Sequence, residues 1–363
     1  MKLRTLFFLG AAALSCLPPP VTTRQDLDNL TFSGSVFITD ARIDTLRARL
    51  ADRVEPNLTA CRLVLEAADQ GLSRAPRPPV RWHVPAFYRD KQGHQQAKNV
   101  LRDDANASYA MALAYRITDD ERYAQGAMNI IHSWVTLLRE MSRRDDSSLS
   151  FSYHFPPMVF AADLLRSTSV WDPNLDERFR TFLREKALPM STMDRETNWG
   201  NWGLVLSMAC AVYLEDRGLL QTCIDRWKYF IENQMDSRGH LVREVTRSDG
   251  EMGFWYSHFC LMPQTIATEI ARVQEVDLYD YQPLPGRSLR NAFQRIAGWV
   301  EQPDTFPYWP DIPPGWDYIS YFEILHNRWP SEQTARLLDR FRPLNAEHGA
   351  PFLTFTHGGI VEE

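Results

Sequence analysis

Cysteine is scarce in this sequence, with five in 363 residues and no CxxC pair. Cys16 falls within the first 20 residues, leaving Cys61, Cys210, Cys223 and Cys260, which supply at most two disulfides or serve as small core residues. A disulfide-built fold is excluded. The chain also lacks HExxH, a clustered Cys/His ligand set, a P-loop, GxGxxG ahead of a helix and a GxSxG elbow, so neither a metal nor a nucleotide cofactor is indicated. Positive charge is not in excess: 40 Lys and Arg against 46 Asp and Glu give a net charge of -6, which argues against a nucleic-acid partner. An anionic sugar remains open, because it needs only a local basic cleft. Most basic residues are arginine, which suits bidentate carboxylate binding, although genome composition accounts for the same bias. Beyond the amino terminus no apolar run approaches the roughly 20 residues of a spanning helix, so no membrane partner is expected.

What is present begins with Met1-Lys2-Leu3-Arg4, a short apolar run from Leu6 to Leu14, small residues and Pro18-Pro19-Pro20. This pattern predicts a cleavable secretory signal over residues 1–20 and a secreted protein. A lipobox ending at Cys16 is the alternative, weakened by Ala13 where an apolar residue is wanted. Three sequons, at Asn29, Asn57 and Asn106, fit a glycoprotein and also arise by chance. Residues 21–35 read as a linker or arm, and 36–363 as one domain.

Apolar residues then recur at three- and four-residue steps, as in Ile43, Leu46 and Leu50. Helices are predicted from Asp40 and from Pro56, and then over 95–116, 121–141, 156–165, 175–187, 199–214, 219–234, 254–274, 288–301, 317–327 and 331–341. Residues 73–93, broken by prolines, read as a long loop lining a cleft. Strand-like alternation is confined to pieces such as 36–38 and 352–356. The expected class is all-α: about six helical hairpins closing into an incomplete α/α toroid, with long cleft-lining loops. The absence of a sharp internal repeat argues against an open solenoid.

The residues that carry chemistry cluster in Asn198-Trp199-Gly200-Asn201-Trp202-Gly203, Glu244-Val245-Thr246-Arg247 and Phe254-Trp255-Tyr256-Ser257-His258. Amides, an arginine, a tyrosine and a histidine are what β-elimination of a polyuronate requires. The proton at C5 of a uronic acid is only weakly acidic, because the adjacent carboxylate opposes a carbanion. Amide, arginine or histidine donors neutralise that carboxylate and hold the charge that spreads onto it. A tyrosine then takes the proton and returns it to the leaving O4, and a neighbouring cation such as Arg247 favours its phenolate. Each element also has a plainer reading. The asparagines cap a helix, the tryptophans belong to the core, and Glu244 with Arg247 makes a surface ion pair. Within a regular helix Tyr256 and His258 point to different faces, so either Tyr256 precedes the helix or only one of them meets the cleft.

These three segments resemble the alginate lyase superfamily of polysaccharide lyases, with a weaker likeness running from the 40–71 helices to Asp277-Leu278-Tyr279. The resemblance implies an α/α toroid and metal-independent eliminative cleavage of alginate, glucuronan or a related polyuronate, with an anionic polysaccharide or oligouronate as partner. It assigns Tyr256 to the catalytic tyrosine, Arg247 to its supporting arginine and Asn201 to the carboxylate-neutralising amide, with Asn198 as alternative. Many relatives carry histidine directly after that asparagine, and this chain does not. The neutralising histidine is then sought at His258, His154 and His240, in that order. The step from Arg247 to Tyr256 is also longer than in relatives. Trp199 and Trp202 are candidate sugar platforms. Tyr318, in the aromatic and proline-rich segment 308–318 expected to form a subsite wall or lid, is the fallback base. Two other classes stay open: a glycoside hydrolase using Asp249 and Glu251 on the same scaffold, and a non-catalytic carbohydrate-binding accessory protein.

Overall fold

The structure is a computed structural model that describes Leu27 and residues 30–312 and 318–361. The expected signal at 1–20, the Asn29 sequon, much of the 21–35 linker and residues 313–317 lie outside the described residues.

Helices account for almost all regular structure. In chain order they are α1 (Asp40–Ala51), α2 (Asn57–Leu72), α3 (Lys91–Thr118), α4 (Glu121–Leu137), α5 (Ser147–His154), α6 (Pro156–Arg166), α7 (Pro173–Phe182), α8 (Asn198–Leu214), α9 (Arg217–Gln234), α10 (Gly253–Val273), α11 (Leu289–Glu301), α12 (Phe322–Arg328), α13 (Glu332–Phe341) and α14 (Leu353–His357). Their starts are written in the sequence. Thr39, Asp90, Asp120, Asp172, Asp216, Ser288 and Ser331 each accept a backbone N–H of the following first turn. Such a cap contributes about 0.5–2 kcal/mol. Asp119 and Glu215 end α3 and α8 in the left-handed region, turning the chain at once into α4 and α9.

The packing order makes a ring. α2 lies on α3, α3 on α4 and α6, α8 on α5, α6, α9 and α10, and α10 on α11 and α12; α14 then returns onto α2. Asn57 Nδ2 donates to the Phe355 carbonyl at 2.8 Å and Arg42 Nη1 to that of Thr356 at 2.9 Å, fastening the return. α8 is buried at every position except Trp199, and α10 is nearly as enclosed. Helices apolar all round belong at the centre of a helical fold. The conspicuous sequence motifs lie at the amino-terminal ends of these two helices.

Several local expectations are corrected. The 352–356 segment is not a strand but enters the short helix α14 (Leu353–His357) from Phe352 at φ 65°, and 36–38 are buried bends held by Asp163, whose Oδ2 accepts from Val36 N at 2.6 Å. Five residues are too few for alternation to exclude a helical turn. The 73–93 loop contributes one small strand, β1 (Arg81–Trp82), parallel to β2 (Glu140–Met141), which occupies the end of the predicted 121–141 helix. α5 was not expected, and the 317–327 helix starts only at Phe322 among the described residues. Cys61, Cys210, Cys223 and Cys260 are all free and buried, so they are small core residues. Among the described residues no helix is long and apolar enough to cross a membrane.

Candidate functional site

The doubled Asn-Trp-Gly begins α8, and its glycines explain why the repeat is there. A Cβ at Gly200 would meet the Arg195 carbonyl, and one at Gly203 would meet the backbone of Thr192 and Met193. The helix start is pressed against the preceding loop, and a side chain at either position would force them apart. The two asparagines then part company. The backbone N–H of Asn198 donates to Glu244 Oε1 at 2.9 Å, and its Nδ2 lies 3.1 and 3.0 Å from the two carboxylate oxygens. Its Oδ1 has no partner among the described residues. Asn201 turns into the core, where Nδ2 donates to Gln234 Oε1 at 3.0 Å and Cys260 Sγ at 3.1 Å while Oδ1 accepts from Gln264 Nε2 at 3.2 Å. Asn201 is fully buried with its donor engaged, whereas Asn198 is the amide that holds Glu244.

Glu244 is not a surface residue. It is 1% exposed, and burial pushes its carboxyl up against the opposing pull of Asn198 and Arg247. Arg247 Nη1 stands 3.9 Å from Glu244 Oε2, at the limit of an ion pair, with its side chain partly exposed. A short turn, Arg247–Gly250, follows, and both Ser248 (φ 52°) and Asp249 (φ 55°) take left-handed backbone. Such conformations cost of order 1–3 kcal/mol each and concentrate at functional sites. Here they bend the chain so that α10 begins at Gly253 and brings Tyr256 back under Arg247, whose guanidinium carbon lies 4.1 Å from the ring centroid. The nine-residue step is absorbed by this bend.

Tyr256 is half-buried, and its hydroxyl lies 3.3 Å from that of Tyr88. Burial first, and the Tyr88 contact second, push its phenol well above the ordinary tyrosine range, while Arg247 draws it down. Burial dominates, so the resting phenol is protonated. Tyr88 sits in the 73–93 loop and is 80% exposed. The sequence marked that loop as cleft-lining without singling out the tyrosine.

Tyr256 and His258 both fall inside α10, so only one faces outward. His258 is 1% exposed, with Nδ1 3.0 Å from the Tyr321 hydroxyl and Nε2 without a partner among the described residues, and burial holds it down at about 3. It is a neutral ring packed between Phe254 and Tyr318, at 4.8 and 6.0 Å between centroids. Tyr318 also meets Trp255 at 6.2 Å, which places it at the same end of α10. His240 has Nδ1 2.9 Å from the hydroxyl of Tyr308, whose backbone abuts Gly250 of the turn, and its ring lies on Trp299. Asp236, which accepts from its backbone N–H at 3.0 Å, completes that surrounding. His154 is the last residue of α5 and precedes α6, as expected, but it is fully buried and stacks on His348 at 5.2 Å.

The tryptophans separate as well. Trp202 is fully buried against Tyr153 and Phe259, so it is core and not a sugar platform. Trp199 is half-buried, but one face already carries the Arg195 guanidinium at 4.2 Å. Trp255, which the sequence did not rank, is half-buried and stacked on Phe259 at 4.7 Å. Asp249 and Glu251 are exposed turn residues.

Comparison with known proteins agrees with this architecture. Residues 57–306 match the family model described as alginate lyase. No curated protein matches the sequence. Among solved structures, alginate lyase A1-III from Sphingomonas species A1 superposes with a TM-score of 0.73 at 17% identity, covering 92% of this chain and 98% of that one. A variant of alginate lyase A1-III complexed with tetrasaccharide gives 0.74 at 18%, covering 90% and 95%. An alginate lyase from Bacteroides ovatus gives 0.70 at 17%, covering 89% and 98%. The shared fold is the α/α toroid.

Proposed function

The chain belongs to the alginate lyase family of polysaccharide lyases, and from that premise we propose that it cleaves a polyuronate such as alginate or glucuronan by β-elimination, with Tyr256 as base and then acid. The observation that carries this reading is the Arg247 guanidinium 4.1 Å over the half-buried Tyr256 ring, beside Glu244 and Asn198. A cation in that place does two jobs. It draws the phenol toward ionisation and supplies positive charge for a sugar carboxylate docking beside it.

In the proposed reaction the Tyr256 phenolate removes the C5 proton. The electron pair forms the C4=C5 double bond as the C4–O4 bond breaks, and the new phenol returns the proton to O4. The raised resting phenol suits the second half directly. The first half depends on Arg247, and Tyr88 at the same oxygen marks where substrate groups exchange hydrogen bonds with Tyr256. Because the base is active deprotonated and its phenol is pushed up, turnover rises with pH through the neutral and alkaline range. Secretion belongs to the same proposal, since a polymer substrate lies outside the cell. Recovery of protein lacking residues 1–20 from the medium tests it.

The decisive assay incubates purified protein with polymannuronate, polyguluronate and glucuronan while following the ultraviolet absorbance of the new double bond. A rise on one of them is expected. Saturated reducing ends without that absorbance would mean hydrolysis, and binding without turnover would mean an accessory role.

A further inference from the structure

α3 carries His94, Lys98 and Arg102 at successive four-residue steps, which places them on one face of the helix. Two of the three have evident partners. His94 Nδ1 is 2.9 Å from the Pro85 carbonyl and 3.3 Å from Asp146 Oδ2. Arg102 is held by Asp103 Oδ1 at 2.8 Å and Glu347 Oε1 at 2.6 Å. Lys98 differs. It is 6% exposed, yet it makes no hydrogen bond or ion pair with any described residue. The charges that bear on it are Glu347, already engaged by Arg102, and Arg102 itself. The stem of Lys98 is buried while its ammonium is not among the sealed unpartnered atoms, so it presents a cation that an anion can reach.

Beside it stand two imidazoles with spare hydrogen-bonding capacity. His154 is fully buried with neither Nδ1 nor Nε2 partnered among the described residues, and His348, with Nε2 4.0 Å from Glu347, stacks on it. Lys98 and Arg102 both act on the pair electrostatically, and burial keeps both rings neutral. The pair is joined to the Tyr256 end of the cleft by one aromatic wall. Phe259 lies 5.6 Å from His348 and 6.5 Å from Tyr256, and Tyr153 lies 4.3 Å from His154 and 5.7 Å from Phe259.

We propose that Lys98, His154 and His348 form a seat for a second carboxylate of the polyuronate, on a sugar unit neighbouring the one that Tyr256 acts on. This rests on the function proposed above. An ammonium and two neutral imidazole N–H groups give a carboxylate up to three short donors, one of them charged. The seat makes the enzyme a reader of charge spacing along the polymer, favouring chains that bear a carboxylate on adjacent units over those that alternate with neutral sugars.

The test is calorimetric binding of a tetrauronate, and of its carboxyl-reduced counterpart, to a Tyr256→Phe chain with and without Lys98→Gln or Lys98→Arg. Loss of one charge-assisted hydrogen bond predicts Kd about ten- to hundredfold weaker for Lys98→Gln. Lys98→Arg should retain most of the affinity, and the reduced oligomer should bind all three proteins alike. Unchanged affinity in Lys98→Gln, or an equal loss for the reduced oligomer, overturns the seat. Should Lys98→Gln fail to fold, imidazole proton resonances of His154 and His348 in the otherwise unaltered chain decide: they shift on adding the tetrauronate, and if they stay still the proposal fails. Residual elimination by Tyr256→Phe would overturn the assigned base while leaving the seat's binding result intact.

Discussion

Two clusters of the same four residue types lie at the two ends of α10, and they behave oppositely. At its carboxyl end Glu269 is saturated. Its carboxylate accepts from Arg272 at 2.9 and 2.8 Å and from the Tyr279 hydroxyl at 2.7 Å, with His357 Nε2 at 3.2 Å. Despite full burial the partners hold Glu269 well below the usual carboxylate range. At the amino end Glu244 is pushed up, Arg247 stands off at 3.9 Å, the Tyr256 hydroxyl meets only a tyrosine at 3.3 Å among the described residues, and His258 keeps one nitrogen empty. Glutamate, arginine, tyrosine and histidine therefore do not make a site by being together. A cluster whose donors and acceptors are all used is architecture; one with unused capacity can hold a substrate.

The comparison breaks if the ends exchange phenotypes. Tyr256→Phe should lower kcat by about 10²–10⁴-fold, the range for a lost general acid–base group, with the thermal midpoint nearly unchanged. Glu269→Gln should do the reverse. Breaking a buried, paired charge costs about 3–5 kcal/mol of stability in chemical denaturation, while kcat/KM of the folded fraction stays near wild type. Because the folded Glu269 is held low, its contribution is present above the unfolded carboxyl range and is lost as pH falls through the folded value. Wild type and Glu269→Gln should accordingly converge in stability under acid.

Arg247→Ala sharpens the contrast. It should cost at least tenfold in kcat/KM and move the rising limb of the pH profile to more alkaline values, since Arg247 is what draws the Tyr256 phenol down. A profile that keeps its position would leave Arg247 with binding alone. The smallest effect is expected for Tyr279→Phe, about 1.5–3 kcal/mol of stability from one hydrogen bond to a charged acceptor, with turnover intact.

The helical toroid was legible because apolar periodicity, aspartate and serine caps and short polar turns all agree along the chain. α5 was not, since Ser147, Ser148, Ser150 and Ser152 hide its period; they are buried only because α3 and α8 pack across them. The Arg247–Tyr256 pair was readable as two residues, whereas the left-handed Ser248 and Asp249 that bring them together leave no compositional mark. Asn198 and Asn201 illustrate a firmer limit. Identical dipeptides three residues apart share a helix, and only the partners on α9 and α10 decide that one amide is sealed in the core and the other holds Glu244. Lys98 and His348 escaped notice because they are 250 residues apart and neither belongs to a motif.

The return of α14 onto α2 has a practical corollary. The beginning and end of the ring lie side by side, bonded through Asn57 and Arg42, on helices that carry none of the residues around Tyr256. The ring can therefore be joined there by a short peptide and reopened at an exposed turn such as Asp119-Asp120, giving a circularly permuted chain with the cleft unchanged.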